Sequence, residues 1–394
     1  MSRLTQEALE LAQALVRTPS PTGDEGAAIE IAAAAMSRYG FEVTIDAAGN
    51  AIGTLGRAIP GAPRILFDGH IDTVPLPAPG SWSRDPLAGS VEGGRLYGLG
   101  VCDQKASLAA AVVGIGSQAH RLASAPGLVS LVASVSEEFM EGAALCHALD
   151  RLKPTCVVVT EPSELRLMVG HRGRAKLEVR ITGRAAHAAR SSSGISAVEA
   201  LADLLHSLRA LPERRHETLG ARDITCIDVV SSPYPSVSTV PDGIVARFDI
   251  RFLPDDTESG LHALLLEAAH RAWVSWPARP GITVDTLTVE QLTYTGMPMR
   301  VREYAAGWET VGPVVETAGR ALVEAGLDGT PAMYDVCTNG ALSAGERGIP
   351  TIGFGVGEQH MAHRADEYVE VAALARAVPA YGLLAVALGE EAHT

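Results

Sequence analysis

From Leu4 to Val16 apolar residues recur at helical spacing, and Thr18-Pro19-Ser20-Pro21 ends the pattern, because proline lacks an amide hydrogen and restricts the residue before it. A second helix is predicted over Glu25 to Tyr39, closed by Gly40, and Phe41 to Ile45 then alternates like a strand. Ile65-Leu66-Phe67, Leu128 to Val135 and Cys156 to Thr160 are continuous apolar runs, the mark of strands buried on both faces. Between them, Lys105 to His120 is rich in alanine and reads as a helix able to pack closely on a sheet. Strands alternating with helices imply an α/β fold with a mostly parallel sheet.

The pattern changes after Gly173. Ala175, Leu177, Val179 and Ile181 alternate with Lys176, Glu178, Arg180 and Thr182, and Ile244 to Phe252 repeats the period of two. Such alternation describes a sheet covered on one side only. Between these strands, Ile195 to Leu208 is an amphipathic helix. The parallel pattern returns with a helix at Val311 to Ala325 and a strand at Thr351 to Phe354. The simplest organisation is a domain made of residues 1–171 and 289–394, with an antiparallel α+β unit inserted at 172–288.

The apolar runs matter for what ends them. The first leads into Gly69-His70-Ile71-Asp72, the second into Glu137-Glu138 and the third into Glu161. Asp103 follows a glycine-rich turn, and His363 follows the last strand. In open α/β sheets, ligands bind beyond the carboxyl ends of the strands. Two histidines and three or four carboxylates match a site for two divalent ions bridged by a carboxylate. Imidazole suits zinc or cobalt, and carboxylates also admit manganese. Ions about 3.5–4 Å apart lower the pKa of a water and polarise a carbonyl oxygen. A further carboxylate must carry the water's proton to the leaving amine. The adjacent pair Glu137-Glu138 suggests that division of labour, and Asp72 fits an acceptor that fixes the tautomer of His70.

Composition narrows the alternatives. With 394 residues, two domains are expected. A formal charge of −14 argues against a nucleic-acid partner. The five cysteines are scattered and never spaced C-x-x-C, which fits reduced thiols in a cytoplasm. The N-terminus lacks the apolar core of a signal peptide. Ala106 to Gly116, read as the most apolar stretch, is shorter than the roughly 20 residues of a membrane span. A cysteine hydrolase at Cys102 has no activated pairing in sequence. A serine hydrolase has no Gly-x-Ser-x-Gly elbow. Gly98-x-Gly100 lacks the third glycine of a dinucleotide site. A non-catalytic scaffold would require a damaged ligand set, and all the positions are intact.

These residues carry a family resemblance. Gly69-His70-Ile71-Asp72-Thr73-Val74-Pro75, Leu96 to Lys105, Ser136 to Gly142, Thr160-Glu161-Pro162 and Gly355 to Glu367 resemble the M20-like peptidases. That family includes acetylornithine deacetylase, succinyl-diaminopimelate desuccinylase, aminoacylase and glutamate carboxypeptidase. Gly170-His171-Arg172-Gly173 and Thr338-Asn339-Gly340 are most similar to a subgroup of deacetylases linked to selenium metabolism.

The resemblance implies that Asp103 bridges two metal ions, most simply zinc, with His70 and Glu161 completing one site and Glu138 and His363 the other. Glu137 would be the general base and Asp72 the orienting acid. His363 rather than His360 is the matching ligand, because Asp366-Glu367 follows it at the family's offset. The inserted unit would be a ferredoxin-like lid that pairs with its twin in a homodimer. His187 would stabilise the oxyanion in the partner's site. Arg251 and Asn339 would bind substrate, although Arg251 also reads as a surface arginine paired with Asp249 or Asp255. Leu99, Ala106, Cys102, Ser192, Ser193, Ser196 and Ser238 depart from the family's usual residues without touching a ligand position. The activity implied is deacylation of an N-acyl amino acid or related small amide, with a dipeptidase or carboxypeptidase of the same family as the alternative. No membrane or nucleic-acid partner is expected.

Overall fold

The computed structural model describes residues 1–78 and 80–390. The chain divides into two units: Met1–His171, Glu290–Arg300 and Trp308 onward form the first, and Arg172–Val289 with Val301–Gly307 form the second. In chain order the first unit runs α1 (Arg3–Arg17), α2 (Gly26–Arg38), β1 (Glu42–Ile45), β2 (Ala51–Gly56), β3 (Arg64–His70) and α3 (Ala106–Gly116). β4 (Leu128–Ser134), α4 (Leu145–Leu152), β5 (Cys156–Val159) and β6 (Leu167–Met168) follow. The second unit contributes β7 (Gly173–Thr182), α5 (Ala197–Arg209), β8 (Asp223–Ser232), β9 (Gly243–Phe252), α6 (Glu258–Ala272) and β10 (Gly281–Thr286). The first unit then resumes with α7 (Pro313–Glu324), β11 (Pro331–Ala332), β12 (Thr351–Gly353) and α8 (Val371–Glu390).

The large sheet has the order β1-β2-β4-β3-β5-β12-β6-β11. Its centre, β4-β3-β5-β12, is wholly parallel. β1 and β2 add antiparallel at one side, and β6 runs antiparallel to β12 at the other. The sheet is therefore mixed, with the parallel character confined to the strands that read as continuous apolar runs. Those runs are explained by burial on both faces. Ile65 and Phe67 of β3 join the core built by α1, α2, α3, α7 and α8, while Leu66 joins α4 on the opposite face.

Alanine and glycine let α3 approach closely, and every residue of α3 is buried. A Cβ at Gly114 would lie 2.1 Å from the Val378 carbonyl oxygen of α8, so no larger residue fits there. The predicted helix over Lys105 to His120 is shorter than expected. Lys105 belongs to an irregular turn before α3, and a separate short helix begins at Ala119. α8 is a second strongly apolar helix, longer than α3. By length and composition alone α8 could cross a membrane, but Leu374, Val378, Tyr381, Leu384 and Leu388 are buried in the core of the first unit.

The second unit is a β-α-β-β-α-β arrangement with antiparallel sheet order β8-β9-β7-β10, the ferredoxin-like topology. The alternating residues Ala175, Leu177, Val179 and Ile181 are buried with Phe248, Ile250 and Phe252 under α5 and α6. Residues 301–307 belong to this unit because Tyr304 and Ala305 pair with β7.

Candidate metal centre

The parallel strands decide where the chemistry sits. His70 ends β3, Glu137 and Glu138 follow β4, Glu161 follows β5, and His363 lies in the loop after β12. These four strands are neighbours and point the same way, so their carboxyl ends bring the side chains to one edge. Asp103 comes from the turn Val101–Lys105, whose Asp103–Gln104 peptide bond is cis.

His70 Nε2 lies 2.9 Å from Asp103 Oδ1, 3.7 Å from Glu161 Oε1 and 3.9 Å from Glu137 Oε2. His363 Nε2 lies 2.9 Å from Glu138 Oε1 and 3.5 Å from Asp103 Oδ2. Two triads result, His70-Asp103-Glu161 and Asp103-Glu138-His363, each with its donor atoms within 4.8 Å of one another. They share Asp103. Glu137 belongs to neither and stands beside the first.

Burial pushes the carboxyls of Glu137 and Glu161 well above their ordinary range, and repulsion from neighbouring carboxylates adds to it. Burial also raises Glu138, against the opposing hydrogen bond from His363. Burial alone would lower His70, yet the charges of Glu137 and Glu161 hold it well above the usual imidazole value. The hydrogen bond to Glu138 pushes His363 up to about 9. A buried excess of acids that retains protons in this way is what bound cations would neutralise. Imidazole nitrogens with carboxylate oxygens fit zinc, cobalt or manganese.

Asp72 holds the centre together differently from the sequence expectation. His70 Nδ1 is 3.1 Å from the Asp72 backbone carbonyl and 3.5 Å from its carboxylate, so the carbonyl is the nearer acceptor. Either contact leaves Nε2 facing the acids. The Asp72 carboxylate accepts the amides of Glu137 at 3.1 Å and Glu138 at 3.0 Å, and the Thr22 hydroxyl at 2.8 Å.

Sequence reasoning missed Glu367. It is buried, and its carboxylate accepts the amides of Gly100, Cys102 and Asp103 at 3.0, 2.6 and 3.1 Å. It therefore shapes the turn that presents Asp103. Its fixed offset from His363 was the available signal, used only to choose between two histidines. Lys105 is buried too, with Nζ donating to the carbonyls of Leu15 and Thr18.

The two residues expected to contact substrate each have a protein partner. Asn339 is buried, and Nδ2 donates to Asp68 Oδ2 at 2.7 Å while Oδ1 accepts the Gly142 amide. Its amide braces the segment after Glu138 against β3. Arg251 donates from Nε to Asp249 Oδ1 at 3.0 Å, the surface pairing left open by the sequence. His187, in the second unit, is exposed, and its Nδ1 accepts the Ala189 amide at 3.1 Å. A ring that accepts at Nδ1 carries its proton on Nε2 and is a donor there.

Known proteins are similar to this chain in sequence and fold. The chain is 28% identical over 389 residues to the Escherichia coli (strain K12) protein named "Uncharacterized protein YgeY", covering 93% of this chain and 92% of that one. The fold matches aminopeptidase PepT from Bacillus cereus with a TM-score of 0.74 at 20% identity, over 98% of both chains. It also matches the Bacillus subtilis YXEP protein, a dinuclear metal binding peptidase from the M20 family. There the TM-score is 0.73 at 15% identity, over 98% of this chain and 99% of that one. The description "Peptidase family M20/M25/M40" covers residues 66–387, a span that holds both triads and Glu137. The chain belongs to peptidase family M20/M25/M40.

Proposed function

We propose that this protein is a dinuclear metallo-amidohydrolase of the deacylase type, acting on an N-acyl amino acid or a related small amide. The observation that carries the reading is the pair of triads sharing Asp103, with Glu137 beside them and outside both. His70, Asp103 and Glu161 would hold one divalent ion, and Asp103, Glu138 and His363 the other, zinc being the simplest choice. When bound, such ions supply Lewis acidity toward a water molecule and an amide carbonyl.

The chain's own residues do the rest. Glu137 takes a proton from the attacking water and returns it to the departing amine nitrogen. His187 of one subunit donates from Nε2 to the oxyanion developing in its partner's site, a contact worth a few kcal/mol. The Nη groups of Arg251 supply a planar fork for a substrate carboxylate. Asp72 and Glu367 hold the backbone from which Glu137, Glu138 and Asp103 project.

The reading includes a homodimer formed through the second unit. β8 is an edge strand, and Ile227, Val229 and Val230 along it are 52%, 46% and 54% exposed. An exposed apolar edge is a template for pairing with another chain, and twofold pairing of like edges closes the assembly. The free thiols of Cys102, Cys146, Cys156, Cys226 and Cys337 fit a reducing cytoplasm.

A dipeptidase or carboxypeptidase activity is the second reading, since solved structures that share the fold include a dipeptidase and a carboxypeptidase. Elemental analysis combined with hydrolysis of N-acyl amino acids and dipeptides, before and after chelation, tests both. About two ions per chain and activity restored by metal are expected, with an N-acyl amino acid as the best substrate. Preference for a dipeptide selects the second reading. Absence of both metal and turnover after reconstitution removes the two together.

A further inference from the structure

Asp72 is not the only carboxylate that holds the Glu137-Glu138 turn. Glu25, the residue before α2, is fully buried. Its Oε1 accepts the Gly23 amide at 2.9 Å, the Ser136 amide at 3.2 Å and the Ser136 hydroxyl at 3.4 Å. Its Oε2 is buried and has no hydrogen-bond partner among the described residues. Ser136 has φ 60°, a left-handed conformation that costs a non-glycine residue on the order of 1–3 kcal/mol and persists only where its surroundings enforce it.

Two carboxylates thus hold three successive amides, those of Ser136, Glu137 and Glu138. One loop ties them together. Thr22 donates to Asp72, and Gly23 donates to Glu25. Immediately after the left-handed residue the two acidic side chains part: Glu138 bonds His363, while Glu137 stands by His70.

We propose that Glu25 is a positioning residue for this pair: by holding the amide and hydroxyl of Ser136, it fixes the kink that sends Glu138 to the metal side and leaves Glu137 free to carry a proton. The assignment of those two roles rests on the function proposed above. Burial, with the Asp72 charge adding to it, pushes the Glu25 carboxyl up to about 7. All three hydrogen bonds end on the one oxygen Oε1, so what the turn requires of it is an acceptor. Glutamine supplies that oxygen at the same reach, and alanine does not.

Glu25→Ala and Glu25→Gln, compared with the unaltered full chain, test the proposal. Three readouts are taken: hydrogen exchange of the amides of residues 136–138 in metal-free protein, zinc binding by titration, and kcat and KM on the best substrate. In Glu25→Ala the amides should exchange at least about tenfold faster, and the weaker zinc should bind at least about tenfold less tightly. kcat should fall by about tenfold or more with KM within about twofold. Glu25→Gln should bring all three back to within about threefold of the unaltered chain.

Unchanged exchange in Glu25→Ala, or a glutamine variant no better than the alanine one, overturns the proposal. If Glu25→Ala does not fold, Glu25→Asp replaces it, since the shorter side chain keeps the charge but loses the reach. It should then behave as the alanine variant is expected to, and wild-type behaviour would overturn the idea. If the unaltered protein binds no metal and turns nothing over, the proposed function has failed, and amide exchange still decides whether Glu25 sets the kink.

Discussion

The proposed division of labour between Glu137 and Glu138 rests on the different surroundings of two adjacent residues. Glu138 is bonded to His363 at 2.9 Å, whereas Glu137 approaches His70 only to 3.9 Å. Glu137→Ala should therefore keep its metal content while kcat falls by about 10²–10⁴-fold, as read by elemental analysis and steady-state kinetics on one preparation. Metal lost with activity kept would exchange the roles of the two residues. Glu25 gives a second prediction at this scale, this time on stability. Its carboxyl rises from 4.5 to about 7 on folding, chiefly through burial, so between those values the folded state binds the proton more tightly than the unfolded state. Its contribution therefore favours folding at low pH and declines as pH rises through the window. Glutamine does not titrate. In metal-free protein the stability of Glu25→Gln relative to the unaltered chain should grow from pH 5 to pH 8, by up to about 3 kcal/mol. Urea midpoints across that range measure it, and a difference that stays flat with pH would show that Glu25 ionises normally.

Between elements, close approach governs. α3 and α8 meet where Gly114 faces the Val378 carbonyl and Gly382 faces the Gly114 carbonyl. Gly114→Ala should destabilise by about 1–3 kcal/mol or more, because a helix backbone must shift to admit the methyl group. A lower urea midpoint with an unchanged slope is the expected result, and a stabilised variant would mean that the helices separate easily. The elements that could be read from sequence were those whose pattern is uniform. β3, β4 and β5 lie in the middle of the sheet and so read as unbroken apolar runs, and each delivers its acid or histidine at the expected end. β8 escaped because a bulge between Cys226 and Asp228 breaks its alternation and leaves Ile227, Val229 and Val230 exposed. α8 escaped because a buried helix carries no polar stripe to mark its period. Asn339 was legible as a polar residue in a family motif, but its partners Asp68 and Gly142 lie 271 and 197 positions away. No local pattern encodes such a bond. Glu25 and Glu367 share that difficulty: each acts on the amides of a distant turn, so the sequence presents them only as one more acid in a loop or at a helix start.

At the scale of the whole molecule, the proposed dimer and the proposed role of His187 make one joint prediction. If each His187 serves the metal centre of the partner, Glu137→Ala and His187→Ala disable different halves of a composite site. Either variant alone has no complete site. A hybrid of the two has one: its intact Glu137 comes from the His187→Ala chain and its intact His187 from the Glu137→Ala chain. Random pairing of equal amounts makes half of the dimers hybrid with one live site of two, so activity should return to about a quarter of the unaltered level. Co-expression with two different affinity tags, followed by assay of the doubly tagged fraction, isolates the hybrid directly. A hybrid with about half the unaltered activity supports a histidine acting across the interface. A hybrid as inactive as its parents means that His187 acts within its own chain. A chain that sediments as a monomer at assay concentration removes the exposed edge of β8 as a pairing surface, and the shared site with it.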